Sequence, residues 1–187
     1  MNRDSTCAGR MGEVVYTEER AKDMLHHVYE RKVIFGGRSV MIWGGISLHT
    51  KTDVVPVRQT LNAQRYQNTI IQPIIVPHIR ANRGMILMQD NATPHKARTT
   101  QQMLQMNNIR VLDWPPCSPN LNPIEHVWDE LDRRIRRLPQ AQNLAQLETF
   151  IVNTWNNLPR RFLQNYVNSM RRRCQAVIVA RGGHTRY

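Results

Sequence analysis

Four apolar residues in a row, Met85-Ile86-Leu87-Met88, run directly into Gln89-Asp90-Asn91. So short a run, with no polar alternation, reads as a central strand that stops at a polar tip. A strand buried on both faces needs helices packed against it. The neighbouring segments supply them. Asn62 is placed to cap a helix whose apolar positions Ile70, Ile71, Ile74, Ile75 and Ile79 recur at helical spacing. Pro73 and Pro77 predict a kink there or a break into two pieces. Thr93-Pro94 can open the next helix, which runs through Met103, Leu104 and Met106 to Asn107-Asn108.

Other strands are shorter or less central. Ser39 to Ser47 (SVMIWGGIS) is rich in apolar and β-branched residues and reads as one buried strand after the Gly36-Gly37 turn. Asp53 to Val57 predicts a second strand, with Pro56 placing it at an edge. Ile109 to Leu112 predicts another. Residues 1–35 carry no clean period apart from Val14-Val15-Tyr16, a short strand, and the acids Glu18, Glu19, Asp23 and Glu30 stand between Tyr16 and Phe35. After residue 113 the pattern is helical only: one helix from Asn122-Pro123 through Val127, Trp128, Leu131 and Ile135, one from Asn143, and a last one starting near Pro159. The order is that of an α/β domain with a C-terminal helical tail. The expected division is a remnant of the first strands over 1–35, a catalytic core over 36–138 and a basic helical extension over 139–187.

The formal net charge of +12 is unevenly spread: from Leu131 to Tyr187 there are eleven arginines against two acids, Asp132 and Glu148. Such a segment attracts phosphate backbones through counterion release, whatever the base sequence. The arginines expected to contact DNA are Arg133, Arg134, Arg136, Arg137, Arg171, Arg172 and Arg173. A solvated basic surface or a nuclear import patch is the plainer alternative. No segment has the length and apolarity of a membrane span, so no membrane partner is expected. Cys7, Cys117 and Cys174 are odd in number and far apart, which argues against a disulfide framework or a zinc knuckle and fits a reducing compartment.

Two carboxylates stand out by position. Asp90 ends the buried strand and Glu125 falls in the first turn of a helix, with 34 residues between them. Sites in open α/β sheets form where strand ends meet helix starts. Carboxylate oxygens suit hard cations such as magnesium or manganese. Each acid also has an ordinary reading. Asp90-Asn91 fits a strand-ending turn, and with Asn122 as N-cap Glu125 occupies the capping-box position.

Four segments carry a family resemblance: GGRSVMIWGGIS (36–47), LNAQRY (61–66), MQDNATPHKAR (88–98) and WPPCSPNLNPIEHVWDEL (114–131). Over roughly residues 13–160 the chain resembles the catalytic domain of Tc-one/mariner superfamily transposases, in the branch whose third acid is Glu. The resemblance implies a ribonuclease-H-like fold and Asp-Asp-Glu chemistry. In that chemistry Mg2+ or Mn2+ supports cleavage and joining of DNA strands at inverted-repeat ends. It implies Asp90 as the second metal-binding, catalytic carboxylate and Glu125 as the third. His95 matches the family's His after the second acid, either catalytic or a packing residue at a helix start. Trp114 and Trp128 are expected to pack rather than to touch DNA. A nuclear location follows from the resemblance, and a homodimer on paired transposon ends is an arrangement it allows.

The chain also departs from the pattern. Counting back through Val15-Tyr16 and Gly36-Gly37 places the first family acid at or just before Met1, and Asp4 leaves only 85 residues between itself and Asp90. Cys117 and Asn120 stand where the family usually has Tyr and Asp. The expectation is therefore a transposase catalytic fragment that binds DNA and has little or no strand-transfer activity alone. Two other classes fit the same residues: a non-catalytic nucleic-acid-binding module, and a ribonuclease-H-type nuclease.

Overall fold

The structure is a computed structural model that describes residues 24–27, 31–35, 38–114, 121–181 and 185, with side chains from Val40 onward. Val14-Val15-Tyr16, Asp4, Cys117 and Ser118-Pro119 lie outside the described residues.

Apolar alternation lays out the sheet. The strand β3 (Arg38–Trp43) directs Val40 and Ile42 to one face and Trp43 to the other. After Gly44 the chain continues as β4 (Gly45–Ile46). The expected Ser39–Ser47 strand is thus interrupted, for a steric reason. A Cβ on Gly44 would sit 3.0 Å from Cη2 of Trp128 and 3.2 Å from the Trp155 ring. The backbone passes flush beneath two indoles, and any side chain at this position would require them to shift by a few tenths of an ångström.

β3 pairs antiparallel with β2 (Arg31–Phe35) on one side, Val33 opposite Val40, and with β5 (Val55–Val57) on the other, Ile42 opposite Pro56. β5 sits at the edge that Pro56 predicts. β4 pairs antiparallel with β1 (Met24–His27), and β1 pairs parallel with β6 (Ile86–Met88), Leu25 opposite Leu87. Leu87 also bridges Val111 in parallel, through Leu87 N–H to the Arg110 carbonyl and Leu112 N–H to the Leu87 carbonyl, both 2.8 Å. β6 is therefore central, flanked by β1 and by the short extended segment around Val111.

Helices cover both faces. One face carries α1 (Ala63–Tyr66), α2 (Gln67–Ile75), α3 (Val76–Ala81) and α5 (Arg98–Met106), whose Tyr66, Ile70, Ile71, Ile75 and Leu104 close on Trp43 and Leu87. The other carries α6 (Ile124–Ile135), α7 (Leu144–Asn156) and α8 (Arg160–Asn168), which bring Val127, Trp128, Leu131, Ile151, Trp155 and Val167 onto Val40, Ile42 and Ile46. A third cluster joins Met88 at the end of β6 to Trp114, Leu121 and, from α9 (Met170–Val179), Met170 and Val177.

Caps form where their sequences predict. Asn62 accepts from Arg65 N at 2.9 Å and Asn143 from Gln146 N at 2.8 Å. Several details differ from expectation. Pro73 and Pro77 do not break the helical run from Ala63 to Ala81. Instead Gln67–Ile75 winds as a π-helix, with Val76 N–H bonded to the Ile71 carbonyl five residues back. The wider turn accommodates a proline that lacks an N–H and crowds the preceding carbonyls. The helix expected from Thr93 breaks at Ala97, whose ψ of 136° separates α4 (Thr93–Lys96) from α5. The helix starting near Pro159 is not the last, because α9 follows after Ser169. Glu125 is not at the capping-box place either. The N-cap is Pro123, so Glu125 is the second helical residue.

Candidate active site at the end of the central strand

β6 stops at Met88 and delivers Gln89 and Asp90 to its tip. Gln89 is buried, and its Oε1 accepts from the Tyr66 hydroxyl at 2.9 Å. Asp90 is partly buried. Its Oδ1 accepts from the Ala92 backbone N–H at 3.0 Å, a turn closed by its own side chain, and meets His95 Nδ1 at 2.6 Å. Toward an ionised carboxylate that nitrogen is the donor. His95 is 2% exposed, and its ring lies 4.5 Å from that of Tyr66. Asn91 Nδ2 donates to the Trp114 carbonyl at 2.9 Å, tying the strand tip to Trp114.

Electrostatics favours an ionised Asp90. Burial pushes its carboxyl up, but the hydrogen bonds from His95 and Ala92, with the Coulomb attraction of His95, together hold it below its ordinary value of 3.8. Burial first, then the negative charge of Asp90, raises the Tyr66 hydroxyl well above 10.0, so Tyr66 stays a protonated donor. A depressed carboxyl value contributes stability that is complete above the unfolded value and is lost as pH falls through the folded one. Asp90→Asn should therefore destabilise the chain near neutral pH, and the difference from wild type should shrink to nothing as pH drops through and below 3.8. Urea titrations across that range check this. A difference that persists or grows on acidification contradicts it.

Glu125 sits in the first turn of α6, partly buried, with its backbone N–H bonded to the Asn122 carbonyl at 3.3 Å. The helix start is anchored on both sides. Ile124 and Val127 enter the core over β3, and His126 stacks on Tyr166 of α8 with ring centroids 5.1 Å apart and planes 2° from parallel. Leu121, four residues before Glu125, shares a cluster with Met88, two residues before Asp90. Among the described residues, no group of three or more His, Cys, Asp or Glu is arranged to hold a metal. Beside Asp90 a polar cleft of about 180 Å³ is bounded by Asn91, Lys96, Gln101 and Asp113.

The basic residues divide into three kinds. Arg133 and Arg134 pair with Glu130, and Arg136 pairs with Asp132. Arg137, Arg171 and Arg172 are exposed. Arg173 is turned inward at 2% exposure, with Nε donating to Ser169 Oγ at 2.8 Å, so it is withdrawn from the surface on which its sequence neighbours lie. Trp114 and Trp128 are buried, as packing residues should be. Burial lifts the Cys174 thiol to about 11, which disfavours the thiolate. No helix among the described residues is long and apolar enough to cross a membrane.

Tyr66 and Gln89 are site residues that sequence reasoning passed over. The LNAQRY segment marks Tyr66, but only as part of a helix start. Nothing in the sequence pairs it with Gln89 across 23 positions.

Residues 23–148 match the family described as DDE superfamily endonuclease. The Tc1 transposase of Caenorhabditis elegans is 36% identical over 158 residues, covering 81% of this chain and 56% of that protein. The Tc3 transposase of the same organism is 32% identical over 160 residues, 82% of this chain and 47% of that protein. The chain thus spans about half the length of the curated relatives it matches. Among solved structures, the Mos1 transposase catalytic domain with raltegravir and Mn superposes with a TM-score of 0.77 at 17% identity, covering 98% of this chain and 94% of that one. The Mos1 mariner paired-end complex with Mn gives 0.70 at 18% identity, over 80% of this chain and 46% of that one. At such identities the likeness speaks for the fold, and the central β6 between β1 and Val111, with helices on both faces, is the ribonuclease-H-like arrangement. The chain therefore belongs to the DDE superfamily endonucleases, and it is similar to the Tc1 and Tc3 transposases over about half their length.

Proposed function

We propose that this chain is the strand-cleaving and strand-joining core of a Tc1-like transposase, with Asp90 and Glu125 as two of its metal-binding carboxylates. The observation that carries the reading is Asp90 itself. It is an ionised carboxylate at the tip of the central strand, with one oxygen fixed by two donors. The donors fit a hard divalent cation in kind, since both are carboxylate oxygens. Manganese and magnesium are named with the Mos1 catalytic domain. In number the donors fall short, because the described residues contain no group of three.

When bound, such a metal activates a water or a 3′-hydroxyl and neutralises charge at the phosphorus. The chain's own groups do the rest. Asp90 and Glu125 hold the cation, His95 and Ala92 orient Asp90, and exposed arginines hold the DNA backbone. A carboxylate set short of one member would place the nucleophile poorly and lower the rate by orders of magnitude. DNA is the proposed partner and the nucleus the proposed location. A homodimer is proposed by analogy with the paired-end complexes of Mos1.

The purified chain should bind duplex DNA with an affinity that falls steeply with salt, and should nick it in Mg2+ or Mn2+ no faster than its Asp90→Asn variant. Strong magnesium-dependent nicking that Asp90→Asn abolishes would show a complete site in this chain. Hydrolysis of an RNA–DNA hybrid but not of duplex DNA would transfer the reading to a ribonuclease.

A further inference from the structure

His95 can be read as a packing residue at a helix start, yet its surroundings specify more than packing. Its ring is fixed from two directions: Nδ1 lies 2.6 Å from Asp90 Oδ1, and one side lies against Tyr66. Its backbone carbonyl accepts from Gln101 Nε2 at 2.6 Å, and the preceding Pro94 carbonyl accepts from Thr100 Oγ1 at 2.7 Å. Tyr66 is in turn held by Gln89, the residue before Asp90. The four side chains form a closed circuit, Asp90 to His95 to Tyr66 to Gln89 and back through one peptide bond. Every contact the described residues make to the Asp90 carboxylate falls on Oδ1.

We propose that His95 is a positioning residue for the metal-binding carboxylate: by donating from Nδ1 it commits Oδ1 of Asp90 and leaves Oδ2 as the oxygen that would meet a cation, while the Tyr66 ring packs against the imidazole. A carboxylate with one oxygen committed presents a single directed ligand, whereas a free one rotates about its terminal torsion and must be ordered when the metal binds. This rests on the reading of Asp90 as a metal ligand.

The test is Mn2+ affinity of the full chain, followed by the electron paramagnetic resonance of free Mn2+, alongside thermal unfolding. His95→Leu removes the donor. His95→Asn places an amide nitrogen close to where Nδ1 lies, and His95→Gln carries its amide farther out. Loss of a partner that orients a metal ligand typically weakens metal binding about 10–100-fold. His95→Leu and His95→Gln should show that loss, and His95→Asn should recover most of it. The ordering of Asn above Gln is the readout that a purely structural role does not produce, and it holds even where His95→Leu is too unstable to purify. Equal Mn2+ affinity in Asn and Gln, or wild-type affinity in Gln, overturns the proposal. Asp90→Asn separates the two levels. If it binds Mn2+ as wild type does, the assignment of Asp90 as a ligand fails and takes this inference with it. If Asp90→Asn loses the metal while the His95 variants keep it, only the role of His95 fails.

Discussion

Truncating Trp155 to alanine is expected to destabilise the chain by about 3–5 kcal/mol, the range for removing a large buried aromatic. Trp155 is fully buried on α7 and stacks on Trp128 of α6 with ring centroids 5.1 Å apart. Its Nε1 donates to the Thr52 carbonyl at 2.8 Å inside the core. Truncation would leave a cavity above Gly44, where no side chain fills in, and would strand a buried carbonyl without its donor. It would also disturb the end of α7, where Lys51 Nζ bonds the Trp155 and Asn156 carbonyls and satisfies the terminal acceptors of that helix. Against a typical total stability of about 5–15 kcal/mol, such a loss is a large share of what keeps a domain folded. Urea unfolding followed by far-ultraviolet circular dichroism measures it. Trp155→Phe, which keeps a ring but loses the Nε1 bond, should cost roughly 1–3 kcal/mol. A loss below about 1 kcal/mol for the alanine variant would mean that α7 is not part of the core that supports the sheet.

The second large effect separates three consecutive arginines. Arg171→Ala with Arg172→Ala should leave unfolding nearly unchanged and weaken DNA binding. If both residues contact phosphates, the slope of log affinity against log salt should flatten by about 1.8. Arg173→Ala should do the reverse. Arg173 is buried and donates to Ser169 at the junction of α8 and α9, so its removal costs a charged hydrogen bond and the packing of its aliphatic stem. Roughly 1.5–3 kcal/mol of stability should be lost, with the salt slope intact. Fluorescence anisotropy of labelled duplex DNA at several salt concentrations, paired with urea titrations, distinguishes the two behaviours. A flattened slope for Arg173→Ala in protein shown to be folded would place that guanidinium on the DNA after all.

That Asp90 stands at a strand tip and Glu125 in a first helical turn was legible in advance, because each sits where a period changes. Asp90 ends an uninterrupted apolar run, and Glu125 opens an amphipathic helix. The same holds for the caps at Asn62 and Asn143 and for the edge strand at Pro56, where one residue's own stereochemistry sets the local backbone. The gap at Gly44 was not legible, because its cause is a pair of indoles more than 80 positions away. Nor was the fate of Arg173, which reads as a third member of a solvated run.

The sequence by itself determined the strands β3, β5 and β6 and the helices that begin near Asn62, Thr93, Pro123, Asn143 and Pro159, with their apolar faces and the residue types at strand tips and helix starts, but not β1, β2 or α9. Those depend on periodicity and on stereochemistry within a few residues. Only the tertiary structure decided that His95 grips Asp90, that Tyr66 reaches Gln89 and that one of three adjacent arginines is buried. Each of these is a contact between elements. Its energy comes from excluding water around a particular pair of groups, and no local pattern specifies which pair the packing of helices on the sheet will enclose.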